Sequence, residues 1–170
     1  MTKAYLLGAL HDGTERTYTY RICQREQAYV EFLKMMILRL GARAWVYREG
    51  KSRNLYVVEF AKSLLREAKI ASRRDKRDYV RGYFDAEGGI PQSSRARFYI
   101  YFAQKDRNDL ETVRKYLIEI GIRCGRVHNP SVRADPNYWR FFVRCESYEK
   151  FAREIGSWHP RKAKLLRMVI

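Results

Sequence analysis

With 170 residues, 46% of them apolar, the chain is long enough for one domain or for two small ones that share a core. Lys and Arg number 35 against 19 acids, a net charge of +16 with pI near 10.0, and such a surplus opposes compaction unless a polyanion offsets it, so nucleic acid leads the partner classes. No run of about 18 apolar residues and no leader-like N-terminus occurs, and Cys23, Cys124 and Cys145 lack CxxC spacing, which argues against a membrane span, a secretory signal, a zinc ribbon and a disulfide framework and fits an intracellular, non-secreted protein.

In chain order, AYLLGALHDGT at 4–14 reads as a short apolar helix with an acid at its end. RTYTYRIC at 16–23 alternates as a strand does. QREQAYVEFLKMMILRLGAR at 24–43 places Val30, Leu33, Met36, Ile37 and Leu40 on one helical face and stops at Gly41. Two strands follow, ARAWVYR and NLYVVEF, joined by the basic turn EGKSRN, and then a helix near 61–71. The charged segment ASRRDKR at 71–77 marks the boundary, giving halves 1–73 and 74–170.

The second half repeats this order. DYVRGYFDAEGG at 78–89 is its apolar helix with terminal acids, RARFYIYFA at 95–103 its strand, and QKDRNDLETVRKYLIEIGIR at 104–123 its amphipathic helix. That helix aligns without a gap on 24–43: Leu110, Val113, Tyr116, Leu117 and Ile120 fall on the apolar positions of the first copy, and Gly121 falls on Gly41. IRCGRVH and YWRFFVRC are the next strands, joined by NPSVRADPN, and a helix near 147–155 closes the copy. The repeat is too long for a solenoid unit, so the fold class is α+β with duplicated αββαββα-like halves.

A pseudo-twofold between the halves would let the first helices pack along the axis, with Gly8 and Gly82 permitting close backbone approach. Asp12 and Glu87 would then meet beside two negative helix ends, an arrangement poor for folding. It suits a hard divalent cation such as Mg2+, which takes oxygen ligands.

VRGYFDAEG at 80–88 and LLGALHDG at 6–13 resemble the paired signature helices of the LAGLIDADG homing endonucleases, in the single-chain form with two motifs. In the first of these Glu87 takes the metal-binding acid position and Asp85 the earlier, structural one; in the second Asp12 precedes Gly13. Gly8 to Asp12 spans four positions, whereas Gly82 to Glu87 spans five. The resemblance covers nearly the whole chain and implies a saddle of two antiparallel sheets along the major groove of double-stranded DNA, with the paired helices over the minor groove. It implies a monomeric, site-specific endonuclease acting on a long target, hydrolysing one phosphodiester in each strand with Mg2+, or with Mn2+ or Ca2+ in the same site. The start at Met1 points to an intron-encoded enzyme rather than an excised intein. The family places a Gln at the end of the strand entering the second helix, here Gln24 and Gln104, and a basic residue late in each half, here Lys162. Asp12, Glu87, Gln24, Gln104 and Lys162 are thus the implied catalytic set, with Asp12 and Glu87 as metal ligands. His11, His128 and His159 receive no acid–base role.

Alternation assigns the sheet faces. Tyr18, Tyr20 and Ile22 should pack inward, leaving Thr17, Thr19 and Arg21 toward DNA. Arg43 and Trp45 share a face, and Arg48, Lys51 and Arg53 stand at the turn. Phe98, Ile100 and Phe102 should be core, leaving Arg95, Arg97, Tyr99 and Tyr101 outward. Trp139, Phe141 and Val143 should be core, leaving Arg140, Phe142 and Arg144, joined by Arg126 and His128, with Lys105 and Arg133 completing the DNA-binding set. Arginines on such a face read guanine, and turn cations meet phosphate. The short spacing from Asp12 to Gln24 leads us to expect a first sheet truncated by a strand. The competing functions are an RNA-binding maturase or a non-cleaving DNA-binding protein on the same fold, and a plain RNA-binding domain in which Tyr99, Tyr101 and Trp45 stack on unpaired bases.

Overall fold

The computed structural model describes residues 2–50, 53–93 and 95–170. Helix α1 (Lys3–Ala9) runs into a 3-10 turn, Leu10–Asp12, followed by β1 (Gly13–Glu15), β2 (Thr19–Gln24), α2 (Gln27–Arg39), β3 (Ala44–Arg48) and β4 (Tyr56–Ala61). The second half contains α3 (Arg73–Glu87), β5 (Gly88–Gly89), β6 (Tyr101–Gln104), α4 (Arg107–Ile120), β7 (Trp139–Phe142), α5 (Tyr148–Glu154) and α6 (Pro160–Leu166).

The matching helices α2 and α4 stop where the repeat implies. Gly41 and Gly121 follow them with φ of 84° and 87°, a backbone region that a side chain disfavours, and Gly121 closes α4 as its C-terminal cap. The charged boundary segment, by contrast, is mostly helix. Ser72 and Asp75 form a reciprocal capping box, so α3 begins at Arg73 and the connection ends at Ser72. The helix expected near 61–71 is only a 3-10 turn, Lys62–Leu65. The strand expected at 122–128 joins its sheet through two isolated bridges, Cys124 to Val143 and His128 to Arg140.

Both sheets are antiparallel. The first has the order β1-β2-β4-β3 and the second β5-β6-β7. The close spacing of Asp12 and Gln24 is accommodated by a three-residue β1 rather than by loss of a strand, which corrects the expected truncation of the first sheet. Ile22, Ile100, Phe102, Phe141 and Val143 are buried as the alternation requires, but Tyr18 is 81% exposed because it lies in the turn before β2.

Two apolar clusters fill the interior. One gathers α3, α4, α5 and the second sheet around Phe84, Phe102, Phe141 and Phe151; the other gathers α2 and the first sheet around Tyr5, Leu33, Ile37 and Phe60. Helices α1 and α3 pack against each other between them. A Cβ at Gly8 would fall 2.1 Å from the Tyr79 carbonyl oxygen, and one at Gly82 would fall 2.0 Å from that of Tyr5. Only glycine at both positions allows this backbone contact, which sets the ends of the two helices side by side. No helix among the described residues is long and apolar enough to cross a membrane.

Candidate active site and nucleic-acid face

The two motifs differ by one residue between glycine and acid, and the local helix type makes up the difference. The last turn before Asp12 is 3-10, where three residues rise about 6 Å, as much as about four residues of α-helix. Glu87 feels the charge of Asp12: after loss of hydration, the largest cause, that charge raises the pKa of Glu87. Asp12 is itself raised by lost hydration, against the hydrogen bond from Gln24 and the charge of Lys162.

Each acid has the expected glutamine. Gln24, the last residue of β2, donates from Nε2 to Asp12 Oδ2 at 2.8 Å. Gln104, the last residue of β6, hydrogen-bonds Glu87 and so lowers its pKa. Its Oε1 accepts from the Lys105 backbone N–H at 2.7 Å, which leaves the amide NH2 to serve the carboxylate.

Lys162 is not a solvated surface lysine. Pro160 at the start of α6 sets that helix so that Lys162, 7% exposed, turns inward. Its Nζ donates to the carbonyl oxygens of Phe84 at 2.7 Å and Asp85 at 2.8 Å. These are carbonyls of the last turn of α3, so an ammonium sits on the negative helix end and offsets the field that makes terminal acids unfavourable. Burial lowers its pKa to about 8, against the carboxylates of Asp85, Glu87 and Asp12.

Asp85 faces away from this opening. It is 2% exposed and accepts from Tyr5 Oη at 2.6 Å, from the Trp158 N–H at 3.0 Å and from the Ser157 hydroxyl. Tyr29 Oη lies 2.7 Å from Tyr5 Oη and extends the chain of hydroxyls to α2. Burial raises the Asp85 pKa, with the Ser157 and Tyr5 hydrogen bonds opposing. Tyr5, Tyr29 and Ser157 carried no sequence signal, since each pairs with a partner remote in the chain.

No group of three or more His, Cys, Asp or Glu with metal-site geometry exists among the described residues. The donors present are two carboxylates flanked by glutamine amides, an all-oxygen set that fits a hard divalent cation. The raised carboxyl pKa values are the strain that such a cation would relieve.

The open face of the second sheet holds the expected residues. Tyr101 stands opposite Phe142, and Arg140 opposite Ala103 and bridged to His128. Tyr99 packs on Phe142 at 5.6 Å and the Arg140 guanidinium lies 5.1 Å from the centre of the same ring. Arg95, Arg97, Lys105, Arg126, Arg133 and Arg144 are exposed around this surface.

The first sheet differs. Arg21 was expected to face DNA; it lies on that side of β2, opposite Glu59, and is 8% exposed. Its Nη2 donates to Glu49 at 3.1 Å and its Nε lies 3.8 Å from Glu59. Glu59 also accepts from Thr19 and from Tyr47, both at 2.6 Å. The alternation of NLYVVEF places Glu59 opposite in sense to Val58 and Phe60, which is the signal that finds it. Thr17 is exposed in the turn before β2, and Arg43, Trp45 and Arg53 are exposed. Arg48 spans its turn, with Nε donating to the Arg53 carbonyl at 3.2 Å. Lys51 lies outside the described residues.

Two helices crossed at glycines, an acid at the end of each and a sheet on either side make up the LAGLIDADG saddle fold, with both halves in one chain. Residues 74–156 match the family model of the LAGLIDADG-like domain. The fold is shared with the homing endonuclease I-DmoI in complex with DNA and Ca, at 18% identity and TM-score 0.68, covering 97% of this chain and 96% of that one. The I-DmoI complex with DNA and Mn gives 18% identity and TM-score 0.66, covering 90% and 94%. The N-terminal LAGLIDADG domain of DUF199/WhiA matches at 14% identity and TM-score 0.68, covering 98% of this chain and 85% of that one. No curated protein sequence matches the chain. At such identities the likeness is one of fold, and function rests on the site.

Proposed function

We propose that the protein is a divalent-metal-dependent endonuclease that cuts both strands of a specific DNA duplex. The observation that carries this reading is the meeting of Asp12 and Glu87 at the ends of helices packed through Gly8 and Gly82, each acid with its own glutamine. Asp12 and Glu87 would hold the cation, preferentially Mg2+, with phosphate and water completing its ligands. A cation bound there supplies charge to activate water and to stabilise the leaving oxygen. The chain itself orients the carboxylates through Gln24 and Gln104, fixes the end of α3 through Lys162, and binds the duplex through the cations around the sheets. The DNA complexes of I-DmoI with Mn and Ca, on the same fold, support a DNA substrate and divalent ions.

A second reading, a DNA-binding protein that does not cut, is favoured by the equal likeness to the WhiA domain. The paired acids argue against it. Incubation of a randomised duplex library with Mg2+ and sequencing of the ends tests the choice: defined ends in both strands, lost in Asp12→Ala and Glu87→Ala with binding retained, are expected. Retained cutting by either variant refutes the metal assignment, and binding without any cut end establishes the second reading.

A further inference from the structure

We propose that His11 is the positioning residue of Asp12, clamped from the other half of the chain by Tyr79 and Asp109. This rests on the metal-binding role given to Asp12 above and assigns a function to three residues outside the catalytic set.

The two acids stand on unequal supports. Glu87 ends a 15-residue α-helix whose last carbonyls are held by Lys162. Asp12 ends a 3-10 turn of three residues with no side-chain cap, a geometry with poorer internal hydrogen bonds. What holds that turn is its middle residue. His11 Nε2 lies 2.9 Å from Tyr79 Oη on α3, and Nδ1 lies 3.3 Å from Asp109 Oδ2 in the first turn of α4. The ring also packs on Tyr83, with centroids 4.3 Å apart. One neutral tautomer satisfies all the polar groups: Nδ1–H faces the Asp109 carboxylate, and Nε2 accepts the Tyr79 hydroxyl proton.

The second motif has no such device. The residue before Glu87 is Ala86, which has no polar group to anchor. The clamp therefore belongs to the shortened motif, where a turn one residue short must be fixed from outside to aim its carboxylate. Both clamp partners come from the second half, so the turn that carries Asp12 is held by the half to which it does not belong, while Gln24 of its own half holds the carboxylate.

His11→Phe keeps a ring on Tyr83 and removes both polar contacts; Tyr79→Phe removes one. Ca2+ is titrated into the free chain while the carboxyl 13C signals of Asp12 and Glu87 are followed by NMR, with thermal unfolding measured in parallel. The midpoint for Asp12 should rise about tenfold in His11→Phe, the scale for losing a partner that orients a ligand, and less in Tyr79→Phe. A merely structural role would lower the fraction of folded chain without moving the midpoint. A wild-type chain whose carboxyl signals ignore Ca2+ sinks the metal reading, and the clamp with it. A wild-type response reproduced at the same midpoint in both variants overturns the clamp alone.

Discussion

Tyr5 and Asp85, one from each signature helix, are joined by a buried hydrogen bond of 2.6 Å. The carboxyl group sits where water does not reach, and the tyrosine is one of the few donors that make its burial tolerable. Asp85, the acid of the second motif that is not at the opening, is therefore a matter of folding, and its loss should be read as stability.

Tyr5→Phe should cost about 1–3 kcal/mol, because a buried acceptor loses a donor while the ring still fills its place. Urea denaturation of the variant beside the wild type measures this. An unchanged midpoint would mean that the remaining donors, Ser157 and Trp158, suffice.

Gly82→Ala should destabilise by about 3 kcal/mol or more, since its Cβ has no space against the Tyr5 carbonyl and the helices must separate. Gly125→Ala, whose nearest neighbour would be the Phe142 carbonyl at 3.6 Å, serves as the control and should change stability by under about 1 kcal/mol. Equal effects in the two variants would remove the close approach as the reason for glycine at the crossing.

His159 gives an acid-side instability. Burial lowers its pKa to about 4, against the nearby Glu26 carboxylate. Between about pH 6.5 and pH 4 the unfolded chain binds a proton that the folded one refuses, so this residue's contribution falls as pH falls, by on the order of 3 kcal/mol. His159→Phe should flatten the decline between pH 7 and pH 4.5 in denaturation curves. Asp85, with its pKa raised by burial, works in the opposite sense and is common to both proteins.

Arg144 and Arg21 should differ as DNA contacts. Arg144→Ala should reduce the slope of log affinity against log salt by about 1, as expected for one lost phosphate contact. Arg21→Ala should change it less, because its charge is already engaged by Glu49 and Glu59. Filter binding at several salt concentrations compares them, and a larger slope change for Arg21 would contradict the ion-pair account.

The duplication was legible because helix period, terminating glycine and strand alternation are local signals, so Gly41 and Gly121, Gln24 and Gln104, and Asp12 and Glu87 could be matched from the chain alone. The burial of Lys162 was not, since its partners are backbone carbonyls that expose no residue preference. The ion pairing of Arg21 was hidden for a related reason: alternation gives the side of a sheet but not the company kept there, and two glutamates share that side. The charged run at 71–77 suggested a linker, yet Ser72 and Asp75 have the spacing of a helix start, a signal that charge density concealed.

The unlike surfaces of the two sheets give the molecule a direction. One presents rings under arginine, the other carboxylates that hold an arginine down. Under the proposed function, a palindrome built from either half-site would satisfy only one arm of the molecule, so the natural cutting site should be lopsided and either palindrome should bind more weakly than the native sequence.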